Sequence, residues 1–217
     1  MKRVTLFAGH YGSGKTNVAI NYALRIKEMG ENVTIADLDI VNPYFRTKDS
    51  MADLDAAGIP LICSEYAGSN VDFPALPGDV YSLFDNREQY AVLDIGGDDR
   101  GAYALGRYRE AILKEDNFDM LLVINKYRPL TKTPELCYQV VKEIEEAAGI
   151  PFTGIVNNSN IGDETTWDDV VKSFPYAEEV SRLTGLPIVM TTVKAGLPGI
   201  EGDVVQIKLQ KKIFEED

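Results

Sequence analysis

A lysine and a threonine standing directly behind a glycine-rich turn are the residues of this sequence best placed to do chemistry. The stretch Gly9-His10-Tyr11-Gly12-Ser13-Gly14-Lys15-Thr16 meets every fixed position of the pattern G-x-x-x-x-G-K-[ST]. The chemistry implied is the binding of phosphate. Loop N–H groups point inward, and the helix that follows turns its positive dipole end toward an anion. Gly12, Ser13 and Gly14 form the cradle and Asn17 closes the binding set. Lys15 is placed to reach the outer phosphates, and the Thr16 hydroxyl to ligate Mg²⁺.

Two groups of acids stand where the partners of such a loop belong. Val92-Leu93-Asp94-Ile95-Gly96-Gly97 carries an aspartate to the end of an apolar run, and ligands of parallel sheets collect at that end of a strand. Asp94 is placed to hold the metal, through a water, and Gly97 lets the backbone come close to a terminal phosphate. In Ile35-Ala36-Asp37-Leu38-Asp39 two carboxylates lie two residues apart. In extended geometry Asp37 and Asp39 share a face, and that face, turned to the phosphates, sits near the metal and the attacked phosphorus.

The elements that must position these groups alternate along the chain. The expected strands are Val4–Ala8, Asn32–Asp37, Pro60–Cys63, Gln89–Asp94, Met120–Ile124, Phe152–Val156 and Pro187–Val193. Helical patterns lie between them. The first carries Val18, Ala19, Tyr22, Ala23 and Ile26 on one face and stops at Gly30, another spans 102–113, and a third spans Pro134–Ala148, ended by Gly149 and Pro151. Strands alternating with helices predict a largely parallel sheet covered on both faces. The apolar runs show little period-two alternation, as strands buried on both sides should. The irregular stretch 65–85 is rich in Gly, Pro and Asp; it reads either as a functional segment or as a surface loop.

The 217 residues suit one α/β domain covering 1–217, 45% hydrophobic and 26% charged. A net charge of −12 sets the chain against nucleic acid as a partner, because no long basic block offsets it. Cys63 and Cys137 are isolated in sequence. They read as small buried residues in a cytoplasmic protein rather than as a metal pair. No apolar run is long enough to span a bilayer. The weak stripe of Val205, Leu209 and Ile213 is balanced by terminal acids, which predicts a packed terminal helix or strand and no stable membrane anchor.

Taken together, Gly9–Thr16, Asp37-Leu38-Asp39 and Asp94-x-x-Gly97 resemble the ParA/MinD-type branch of P-loop ATPases. That branch includes the chromosome- and septum-positioning ATPases, the nitrogenase iron protein, metal-insertion ATPases and the CobQ/CobB-type nucleotide-binding domains. The resemblance covers most of the chain in element order, but only these short motifs in residues. It implies a three-layer α/β/α P-loop NTPase fold with a mostly parallel central sheet, and ATP and Mg²⁺ as cofactors. By this resemblance Lys15 and Asp39 are catalytic, Asp39 acting on the attacking water. Thr16, Asp37 and Asp94 serve the metal, and Asp94–Gly97 forms a switch. Asn157, with Asn158 second, reads the adenine after a late strand, and 191–196 closes over the base. The dimerising members carry a second lysine after the first loop glycine, where this chain has His10. His10 therefore reads as either a loop residue or a catalytic one, and the chain as a monomer or a nucleotide-dependent homodimer.

The run Asn125-Lys126-Tyr127-Arg128 is close to a guanine-reading N-K-x-D. Arginine has no acceptor for the guanine N–H groups, so the sequence favours ATP over GTP. Two functions follow. One is an ATPase switch whose segments 37–47 and 94–100 change between ATP and ADP states before a protein partner. In it, Pro43-Tyr44-Phe45-Arg46 is either a switch face or part of an ordinary turn. The other is an ATP-dependent kinase or ligase of the dethiobiotin synthetase type. In that reading 65–85, with Asp98, Asp99, Arg100, Arg107 and Arg109, would hold the acceptor.

Overall fold

A computed structural model describes residues 1–39, 48–63, 78–97 and 99–209. Pro43–Arg46, most of the stretch that begins at Glu65, Asp98 and the terminal residues from 210 lie outside the described residues, as do the side chains of Asp99 and Arg100. The strands are β1 (Val4–Ala8), β2 (Val33–Leu38), β3 (Leu61–Cys63), β4 (Tyr90–Ile95), β5 (Phe118–Ile124), β6 (Gly154–Asn157), β7 (Ile188–Lys194) and β8 (Val205–Ile207). They form one sheet in the order β3-β2-β4-β1-β5-β6-β7-β8, and every pairing is parallel. Every residue of β1 and β2 is buried, which explains why these runs read as continuously apolar rather than alternating.

The helices are α1 (Lys15–Glu28), α2 (Lys48–Ala57), α3 (Ser82–Asp85), α4 (Asp99–Gly106), α5 (Arg109–Glu115), α6 (Pro134–Ala148), α7 (Trp167–Val171) and α8 (Phe174–Thr184). Neighbouring residues on a strand enter opposite cores. Leu6 and Leu93 meet Ile144 and Val180 from α6 and α8 on one face, while Phe7 and Val92 meet Val18, Ile26 and Leu54 from α1 and α2 on the other. The result is three layers, helix, sheet and helix. Local chemistry sets the boundaries of α6. The Thr133 side chain accepts from Leu136 N, Pro134 opens the first turn, and Gly149 closes the helix at φ 66°.

The helical pattern over 102–113 divides at Arg107 and Tyr108 into α4 and α5. Tyr108 N bonds to Leu105 O, and its ring turns into the core, 4.9 Å from Tyr81 and 6.3 Å from Phe84. That cluster joins residues distant in sequence, so local periodicity did not announce the break. Cys137 is buried as expected. Cys63 is exposed, at the end of the edge strand β3, where the sheet offers it no second neighbour. Val205 enters a strand, and among the described residues no helix is long and apolar enough to cross a membrane.

Candidate functional site

In a parallel sheet the C-terminal strand ends lie along one edge. The segment Gly9–Thr16 leaves β1 at that edge, between the ends of β4 and β5. The loop is tightened by Ser13 N donating to His10 O at 3.1 Å. Gly14 caps α1 in a left-handed conformation, φ 84° and ψ 21°. A Cβ there would also meet Asn158 Nδ2 at 2.4 Å, so two separate constraints demand glycine. Lys15 and Thr16 open α1 buried, whereas Asn17 is half-buried and its Oδ1 accepts from Asn21.

The acids converge on this loop. Asp37 and Asp94 are register partners across β2 and β4, so both side chains stand on the same face of neighbouring strands. Asp39 follows the end of β2, and its Oδ2 lies 3.6 Å from Lys15 Nζ, both side chains being buried. Asp39 N donates to Asp37 Oδ1 at 2.9 Å. Thr16 Oγ1 donates to Asp94 Oδ2 at 2.5 Å. One lysine thus faces three buried carboxylates. Burial first, then the carboxylate of Asp94, holds the Asp37 carboxyl well above the usual range. Burial also pushes Asp94 up to about 6, against the opposing pull of Lys15 and the Thr16 hydroxyl.

This arrangement fits a Mg²⁺ ion. Asp94 Oδ1 is buried without a hydrogen-bond partner, while Oδ2 already meets the hydroxyl expected to ligate the metal. Among the described residues no three acidic, imidazole or thiol groups form a closed metal cage. An ion here would take its other ligands from phosphates and water, as Mg²⁺ prefers.

The loop after β4 presses directly on the phosphate loop. A Cβ on Gly97 would lie 2.7 Å from Tyr11 N and 3.1 Å from Gly9 O, and a Cβ on Gly101 would lie 2.5 Å from Gly96 Cα. Only bare backbone fits there. His10 is half-buried, its Nδ1 3.3 Å from Tyr11 O.

The two candidate base-reading asparagines have different surroundings. Asn157, at the end of β6, is fully buried; Nδ2 donates to Ser173 Oγ at 2.8 Å and Oδ1 accepts from Ser159 Oγ at 2.7 Å. It pins β6 to the start of α8. Asn158 belongs to the loop. Its Nδ2 donates to Ser13 O at 2.8 Å and its Oδ1 accepts from Thr192 Oγ1 at 2.6 Å. Residues 191–194 of the segment 191–196 form the end of β7. Asn125 braces the turn after β5, with Oδ1 accepting from Tyr127 N at 3.0 Å and Nδ2 donating to Asn160 O at 3.1 Å. Sequence reading missed this brace, although a buried asparagine ahead of a turn is its usual signal. Arg109 donates to Gly149 O at 2.8 Å. Gly149 ends α6, at the opposite ends of the strands from the loop, so Arg109 lies away from the site.

No protein-family model and no curated protein matches the sequence. Solved structures do match its fold. FtsY from Mycoplasma mycoides superposes with a TM-score of 0.58 at 19% identity, over 88% of this chain and 60% of that one. The cell division protein FtsY from Thermotoga maritima gives 0.61 at 18% identity, over 89% and 62%. FlhF, solved in complex with GTP/Mg²⁺, gives 0.55 at 14% identity, over 96% and 70%. The chain therefore spans about three fifths of the length of the FtsY proteins it matches. With the sheet order and the loop on β1, these superpositions establish the architecture: the chain has the three-layer α/β/α fold of the P-loop NTPases.

Proposed function

We propose that this protein binds and hydrolyses a nucleoside triphosphate with Mg²⁺, and that the nucleotide state switches its surface for a protein partner. The observation that carries the reading is the meeting of Thr16 Oγ1 with Asp94 Oδ2, beside a Lys15–Asp39 pair, at the mouth of the loop. Four groups that phosphoryl transfer requires come from three separate strand ends.

In this reading the amides of Gly12–Thr16 cradle the phosphates and Lys15 Nζ pairs with the outer ones. Thr16 and Asp94, supported by Asp37, would hold a Mg²⁺, which would offset phosphate charge when bound. Asp39 leaves Lys15 and orients the attacking water in line with the terminal phosphate. Gly97, whose backbone is packed against Gly9–Tyr11, would respond to that phosphate, and the close approach of Gly96 to Gly101 would carry the change into α4. The fold is shared with a protein solved with GTP/Mg²⁺, and ATP is nevertheless the nucleotide proposed. The run Asn125–Arg128 after β5 ends on an arginine, with no carboxylate to accept from guanine. Guanine's pair of donors calls for such a carboxylate, and adenine does not. Kinship with the ParA/MinD branch, a cytoplasmic location and either a monomer or a nucleotide-dependent homodimer belong to the same proposal.

Titration calorimetry with ATP and GTP, each with and without Mg²⁺, tests the binding. Lys15→Ala should abolish it, and tight binding by that variant would refute the phosphate loop. Asp39→Ala should bind ATP and lose hydrolysis by at least about a hundredfold. An unchanged rate would remove Asp39 from the mechanism. The same variant, loaded with ATP or ADP, serves to capture a state-specific partner from extract.

A further inference from the structure

The turn after β5 places a cation against the phosphate loop that the roles above leave unused. Arg128 begins that turn in an extended conformation, φ −102° and ψ 135°. Its N donates to Asn125 O at 3.2 Å and its O accepts from Thr131 N at 3.1 Å, so its backbone is fixed. Because β5 is the neighbour of β1, the turn rises alongside residues 9–16. A Cβ on Gly12 would lie 3.7 Å from Arg128 Cδ and 3.9 Å from its Nε. The guanidinium stem thus lies beside the middle of the loop, with room for about one methyl group between them. Nε is buried and has no hydrogen-bond partner. Among the described residues no carboxylate is paired with this arginine.

An unpaired guanidinium N–H out of water is costly. The cost is recovered when an anion fills the neighbouring cradle. The charge balance of the site points the same way. Among the described residues Lys15 is the side-chain cation set against Asp37, Asp39 and Asp94, a triphosphate carries more negative charge than one Mg²⁺ offsets, and position 10 carries histidine rather than a second lysine.

We propose that Arg128 is a phosphate-binding residue, supplying from the turn after β5, within the same chain, a second side-chain cation to the outer phosphates of a bound nucleoside triphosphate. This rests on reading residues 9–16 as a nucleotide site. The planar fork of arginine bonds two phosphate oxygens at once. It acts most strongly where charge accumulates during transfer. A cation from its own chain removes the need for one from a second copy.

The test uses the full chain with Mg²⁺, a non-hydrolysable ATP analogue and ADP. Arg128→Met keeps the stem against Gly12 and removes the charge; Arg128→Lys keeps the charge and removes the fork. Arg128→Met should weaken the analogue by about ten- to a hundredfold and ADP by less than about threefold, with Arg128→Lys in between. The readout is the ratio of the two affinities within each variant, so a general loss of stability does not imitate it. Equal loss for both nucleotides, or no loss for the analogue, would overturn the proposal and leave Arg128 a packing residue. Failure of the unsubstituted protein to bind either nucleotide would instead defeat the nucleotide site itself, and this proposal with it.

Discussion

Asn158 joins three parts of the molecule, and its replacement gives the sharpest test of how the loop is held. The side chain is 2% exposed. Nδ2 donates to the Ser13 carbonyl at 2.8 Å, and Oδ1 accepts from Thr192 Oγ1 at 2.6 Å. Asn158→Ala breaks both bonds and leaves the carbonyl of a buried serine and the hydroxyl of a buried threonine without those partners. Each such group costs about 1–3 kcal/mol, so the expected loss is about 2–4 kcal/mol, allowing for some rotation of the hydroxyl. Asn158→Asp should cost more. It keeps the bond from Thr192 but turns a carboxylate oxygen toward the Ser13 carbonyl, an acceptor facing an acceptor. Urea unfolding followed by circular dichroism reads both losses, with an unchanged slope showing that the transition stays comparable. A loss below about 0.5 kcal/mol for Asn158→Ala, or an Asn158→Asp protein as stable as the parent, would refute the claim that this amide holds the loop in place.

Arg3 Nε meets Glu115 Oε1 at 2.6 Å in a buried pair, and Arg3 also donates to the carbonyls of Leu83 and Asn86. Arg3→Met should therefore destabilise by about 3–5 kcal/mol in thermal or urea unfolding. The hydrogen bond from Arg3 holds the Glu115 carboxyl below its ordinary range. Its contribution is thus complete above the unfolded value of about 4.3 and lost as pH falls through the lower folded value. Glu115→Gln should flatten the fall in urea midpoint across that acid window; an identical slope would refute this. Burial pushes the Cys137 thiol up to about 11, while Cys63 is exposed. At pH 8 one thiol should react quickly with a colorimetric disulfide reagent and the other only after unfolding, and Cys63→Ser should remove the fast phase. Gly101→Ala forces a methyl to within 2.5 Å of Gly96 Cα and should cost about 1–3 kcal/mol; a neutral effect in the same unfolding assay would show that the contact is slack.

The parts legible in sequence are those whose residues act through fixed backbone geometry. Gly9–Thr16 required a strand before it and a helix after it, and β1 and α1 stand there. The helical spacing from Pro134, with Gly149 and Pro151 as its stop, gave the bounds that α6 has in the structure. Asp37 and Asp94 could be assigned to strand ends, but not to one register pair, because register depends on which strands become neighbours. The order that places β4 beside β1 is a property of the whole sheet. Asn157 and Asn158 look alike in sequence; the hydroxyls of Ser173 and Thr192, brought in by α8 and β7, give them separate tasks. Arg128 read only as the absence of an acceptor, since nothing local tells that its stem lies against Gly12. Helix α8 is not legible in the sequence because its buried positions, Tyr176, Ala177 and Val180, are few and lie among polar ones.

The glycines at 96, 97 and 101 leave main chain bearing on main chain, with no side chain between to yield. Flexible side chains absorb small movements by changing rotamer, and close-packed peptide planes do not. Under the proposed switch, a displacement of a few tenths of an ångström at Tyr11 would meet little side-chain slack on its way to α4, like motion between meshed gears. Surface substitutions elsewhere would leave this drive train running, whereas one added methyl at its teeth would jam it.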